Sequence, residues 1–87
     1  MAIDNKYGHV TVEHGDIDDD EVVVVFRAQD MHLTQILDTY HAMCFDSPEH
    51  HRDAIMQARG AVVEWQEAHP DRVRIPNSDK WVARMQA

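Results

Sequence analysis

The stretch VVVVFRAQD, residues 22–30, decides how this chain is read. Four valines and a phenylalanine predict a strand over residues 21–27, because β-branched and aromatic side chains fit a pleated, packed surface. Val22, Val24 and Phe26 fall on one face and Val23 and Val25 on the other, so both faces are apolar. A strand of that kind is ordinarily covered on both sides. The run then stops in Arg27-Ala28-Gln29-Asp30, and two readings of that stop compete. Arg27, Gln29 and Asp30 are the candidate residues for binding a ligand or a partner at the sheet edge. Alternatively they manage the turn into a helix, with Asp30 as the N-cap that satisfies orphan backbone amides.

Upstream, HVTVEH (residues 9–14) alternates, with Val10 and Val12 on one face. It predicts a partner strand, joined to the valine run in a hairpin through the acidic GDIDDD connection. Downstream the period becomes helical. Leu33, Ile36, Leu37, Tyr40 and Met43 or Cys44 predict a first helix over residues 31–44. Ser47, Pro48 and Glu49 mark the start of a second helix: a capping hydroxyl, a proline at the first helical position and an acid in the first turn. Ile55, Ala58, Val62 and Trp65 carry its stripe to about residue 68, and Pro70 ends it. Gly60 within that helix costs about 1 kcal/mol against alanine, which is tolerable if the two helices pack closely there. The short connection makes them an antiparallel pair. RVRIP (residues 72–76) suits a short edge strand, and Asn77, Ser78 and Asp79 suit the cap of a last helix carrying Trp81, Val82 and Met85. The fold class is therefore α+β: an N-terminal β-hairpin packed on an antiparallel helix pair, with a short C-terminal strand or helix, in one small domain over residues 1–87.

The totals narrow the function classes. Eighty-seven residues with a net charge of −8 lack the basic stripe of a nucleic-acid binder. Up to Glu21, seven acids face Lys6 alone, whereas Arg72, Arg74, Lys80 and Arg84 face only Asp79. An acidic beginning and a basic end suit self-association into a homodimer or contact with a protein partner. No apolar run approaches the roughly 20 residues of a membrane span, and MAIDNKYGHV has neither a basic n-region nor an apolar h-region. A single cysteine, Cys44, leaves no intrachain disulfide. The expectation is a soluble cytoplasmic protein without nucleic-acid or membrane partners.

Chemistry-bearing clusters are few. DIDDDE begins like a calcium loop, but the sixth and twelfth places from Asp16 hold Glu21 and Arg27 instead of glycine and a bidentate acid. His41 and Cys44 lie one helical turn apart with His50 and His51 just beyond. They are the best metal candidates in the chain, yet their spacing matches no established zinc pattern. Cys44 closes an apolar stripe, where burial raises a thiol's pKa and suits a core residue better than a nucleophile. No G-x-S-x-G, phosphate loop or dinucleotide fingerprint occurs. The reading is a non-enzymatic protein-interaction module without a cofactor; the alternative is a small-ligand binding protein using Arg27.

VVVVFRAQD, followed by a helix and then VVEWQEAHPDRVRIPNSD, resembles a group of small phage and prophage proteins. These carry F/L-R-A-Q-D after an apolar strand and an E-x-W-Q-like stretch near the end of a long helix. The resemblance spans about residues 8–79 and excludes HAMCFDSPEHH. It implies a cytoplasmic setting in an infected or lysogenic bacterium and a host protein as partner, and it brings no catalytic or binding residues.

Overall fold

The computed structural model describes residues 2–4 and 6–76. Two compact units make up the chain, one containing the residues up to Val25 and the other comprising Phe26–Pro76. The first unit holds an antiparallel hairpin of β1 (Ala2–Asp4) and β2 (Gly8–Val10), with Ala2 opposite Val10 and Asp4 opposite Gly8. The second holds two packed helices, α1 (Leu33–Met43) and α2 (Glu49–Ala68), followed by a 3₁₀ turn at Pro70–Arg72. This is the α+β class, with a hairpin before a helix pair.

The hairpin is not the expected one. It is built from the first ten residues, and the valine run lies on the other side of β1. Asp4 explains why. Its carboxylate Oδ1 accepts the N–H groups of Lys6 (2.7 Å) and Tyr7 (2.8 Å), which closes the turn. Gly8 then adopts a φ of 83°, a conformation that glycine enters without steric cost. The ladder runs to Val10, opposite Ala2, and residues 11–14 are not strand.

Ile3 turns its own amide and carbonyl toward the valine run. Its N–H donates to Glu21 (3.0 Å) and its carbonyl accepts from Val23 (3.0 Å), a parallel bridge opposite Val22. Asp4 Oδ2 accepts the N–H of Val25 at 3.0 Å, continuing the pairing with a side chain in place of backbone. The strand expected over residues 21–27 is thus reduced to one bridge to β1, at Val22.

In the second unit, α1 and α2 form an antiparallel pair. Tyr40 meets His51 near the connection, and Asp38 meets Arg59 further along both helices. Leu33, Cys44 and Ile55 are the buried apolar residues among those described. Arg59 Nε donates to Asp38 at 2.5 Å, but both side chains are well exposed, so the pair contributes under about 1 kcal/mol. The expected cap at Ser47 is not made. Pro48 holds the N-cap position without a side-chain bond, and its carbonyl accepts the N–H groups of His51 and Arg52.

The C-terminal part of this unit runs back alongside the start of α1. Arg74 N–H donates to the Gln29 carbonyl (2.8 Å), and the Arg74 carbonyl accepts from Met31 (3.0 Å). The edge strand expected over residues 72–76 is therefore a single parallel bridge between Asp30 and Arg74. The expected last helix at Trp81, Val82 and Met85 lies outside the described residues.

Gly60 does not mark close packing. A Cβ placed there meets nothing within 4 Å, and its backbone is helical. The glycine costs helix stability without a compensating contact. Gly60→Ala should therefore stabilise the chain by about 1 kcal/mol, read as a higher midpoint in urea denaturation at an unchanged slope.

A candidate docking groove and the turn that precedes it

The Arg27–Asp30 segment is held from three directions, and each holding group takes a backbone atom. Asp30 N–H donates to the Arg27 carbonyl at 2.9 Å, closing a turn. Arg74 takes the Gln29 carbonyl. From α2, the Gln66 side-chain amide donates to the carbonyls of Ala28 (3.0 Å) and Asp30 (3.1 Å). A primary amide has two N–H donors, and here both hydrogens have an acceptor. RAQD and the EWQ of α2, far apart in sequence, meet at this amide.

Beside it the end of α2 is fastened by its own side chains. His69 Nδ1 lies 2.8 Å from the Trp65 carbonyl, the two rings stack at 4.5 Å, and the Arg72 guanidinium sits 4.8 Å from the Trp65 ring centre. Such contacts close a helix end whose last carbonyls lack intrahelical partners.

Of the candidate binding residues, Gln29 is buried at 8% exposure. Asp30 Oδ1 accepts the N–H of His32, two residues on, at 2.9 Å, just before α1 begins at Leu33. This is an Asx turn and not the expected N-cap, a position that His32 holds without a side-chain bond. The Arg27 side chain is exposed and makes no hydrogen bond or ion pair among the described residues. The architectural reading accounts for Gln29 and Asp30 and leaves Arg27 over.

The metal candidates do not converge. Cys44 is buried at the end of α1, while His51 turns to Tyr40, with Nε2 3.3 Å from the hydroxyl and the rings edge to face. Among the described residues no three histidine, cysteine, aspartate or glutamate side chains could hold one ion.

The apolar stripe of α1 is wider than α2 can cover. Leu33 and Cys44 are buried, and Ile36, Leu37 and His41 are half-buried. Tyr40 and Met43, four and seven residues beyond Ile36, are exposed, Met43 at 70%. With Phe26, His32, Leu33, Ile36 and Leu37 they line an open groove of about 660 Å³. None of its lining residues is an aspartate, glutamate, lysine or arginine, and neither Arg27, Gln29 nor Asp30 is among them. Asp38, the one acid on α1, is neutralised by Arg59. Sequence reasoning placed Ile36, Tyr40 and Met43 or Cys44 on the apolar stripe of the first helix; the width of that stripe was the signal that one helix partner would leave part of it open.

No family model, curated protein or solved structure matches this chain. Among the described residues no helix is long and apolar enough to cross a membrane.

Two substitutions test the turn. Gln66→Ala should cost about 1–2 kcal/mol, and the near-isosteric Gln66→Glu at least as much, because a carboxylate would face two carbonyl oxygens. Asp30→Ala should lower stability by about 1 kcal/mol, with Asp30→Ser recovering most of it. Both series are read by thermal and urea denaturation. An Asp30→Ala protein of unchanged stability that lost binding would reverse the architectural assignment.

Proposed function

We propose that the chain is a non-enzymatic protein-interaction module, an accessory protein of a phage or prophage acting in the host cytoplasm. Its contact surface toward a host protein is the groove along α1. The observation that carries this reading is an uncharged apolar face on a chain whose net charge is −8. Ile36, Tyr40 and Met43 present the spacing by which one helix accepts another, which commits the occupant to a helix with an apolar face. The charge of the surrounding chain favours basic residues at the flanks of that helix. The phage setting rests on the resemblance in the RAQD and EWQ stretches. The small-ligand alternative loses ground because Asp30 spends carboxylate Oδ1 on the His32 N–H and Gln29 is buried.

Ile36→Asp and Met43→Asp put a charge in the groove without touching the Gln66 contacts. A host protein retained by tagged wild-type chain and identified by mass spectrometry should, once purified, bind each variant at least about tenfold more weakly. Binding energy concentrates in a few buried anchors, which sets that scale. Retention of the same protein at wild-type affinity by both variants would exclude the groove. Thermal stabilisation by a metabolite that vanished on Arg27→Ala would favour the small-ligand alternative.

A further inference from the structure

The two halves of α1 differ in relief. Toward its start Leu33 is buried and Ile36 half-buried, so the groove is recessed there. Toward its end Tyr40 and Met43 are 45% and 70% exposed and stand out from the surface. His51 holds Tyr40 in that position, with Nε2 3.3 Å from the hydroxyl. The lining residues of α1 are also placed symmetrically along it. Leu33 and Met43, Ile36 and Tyr40, and Leu37 and Thr39 lie at equal distances in sequence on either side of Asp38. Asp38 is absent from the lining and is bonded to Arg59, so no charge sits at the centre of this face.

From this relief we infer that the groove of the free chain is covered by α1 of a second copy, packed antiparallel about a twofold axis at the level of Asp38. The pairing rests on the reading of the groove as the contact surface and sets the regulation of that surface: a host helix has to displace the partner subunit. An antiparallel twofold sets the projecting Met43 over the partner's Leu33 and Tyr40 beside the partner's Ile36, and the reverse. Each projection then meets a recess. Parallel packing would set Met43 against the partner's Met43 and leave the recesses facing each other. Charge at the ends fits the same orientation. Arg27 follows the lining residue Phe26, and Asp46 lies three residues past the end of α1. Both side chains are exposed and without an ion pair among the described residues. Antiparallel packing brings the start of one α1 to the end of the other, and with them Arg27 toward Asp46 of the partner subunit, twice in each dimer. It also opposes the two helix dipoles. The exposed Arg27 thereby acquires a role, that of favouring one orientation of an otherwise uncharged contact.

Sedimentation velocity on the full chain tests this, with wild type, Met43→Asp, Arg27→Glu, Asp46→Arg and the double charge reversal. Wild type should sediment as a dimer at micromolar concentration. Met43→Asp puts a charge into both recesses and should be monomeric, with its helical circular dichroism intact because Met43 is exposed. Each single reversal turns two attractive pairs into two repulsive ones and should weaken dimerisation about tenfold. The double reversal should return to within about threefold of wild type. Arg27→Glu makes the chain more negative and Asp46→Arg less negative, so weakening by both excludes a net-charge effect. A wild type that is monomeric at about 100 µM, a dimer indifferent to Met43→Asp, or a double reversal no better than the singles would overturn the inference. So would a host protein bound by a dimer that stays intact. A purified host protein that binds wild type and Met43→Asp equally well would count against the host-protein reading alone, because the chain's own sedimentation does not depend on it.

Discussion

One primary amide organises the Phe26–Pro76 unit. Gln66 holds the carbonyls of Ala28 and Asp30, and so fixes the chain where it leaves the valine run and before it enters α1. The Asp30 carbonyl also accepts the Leu33 N–H at the start of α1 (3.1 Å), whereas Gln66 is the donor to the Ala28 carbonyl among the described residues. Half-buried carbonyls without partners are costly. With the turn fixed, Arg74 can bridge Asp30, and the C-terminal segment of the unit returns along the start of α1. In a unit with so few buried apolar residues, directional bonds of this kind carry a larger share of specificity than they would over a large core.

Much of the helical unit was legible in the sequence, and the reason is local. Leu33 through Cys44 and the Pro48–Glu49 start carry their signals within one or two turns, so both helices fall within two residues of where the pattern puts them. The hairpin was not legible in the same way. Four valines are a strong strand signal, yet a strand needs a neighbour, and the neighbour here is a three-residue segment at the start of the chain. Asp4 and Gly8, four residues apart, were the turn signal that would have revealed it. Gly60 misled in the opposite direction, because a helical glycine suggests a close approach and this one faces open space.

The candidate surfaces were half visible for a related reason. Periodicity states which side of a helix is apolar but not how much of that side a neighbour will cover. For α1 the stripe from Leu33 to Cys44 divides into a part that meets the rest of the unit and a part that does not. The residues flagged by their chemistry fared differently. Gln29 and Asp30 look like ligand-binding polar groups in a string of letters, and in space Gln29 is buried while the Asp30 carboxylate accepts the His32 N–H. Gln66 drew no attention in the sequence, since nothing distinguishes a glutamine that clasps two carbonyls from one in solvent.

The charge distribution connects these surfaces. A net charge of −8 on 87 residues opposes the approach of a second copy over most of the chain. The groove along α1 escapes that penalty, because none of its lining residues carries an acidic or basic side chain of full charge. Repulsion elsewhere then acts as a filter and not simply as an obstacle, because it penalises any docking mode that brings the acidic Asp16–Glu21 stretches of two copies together.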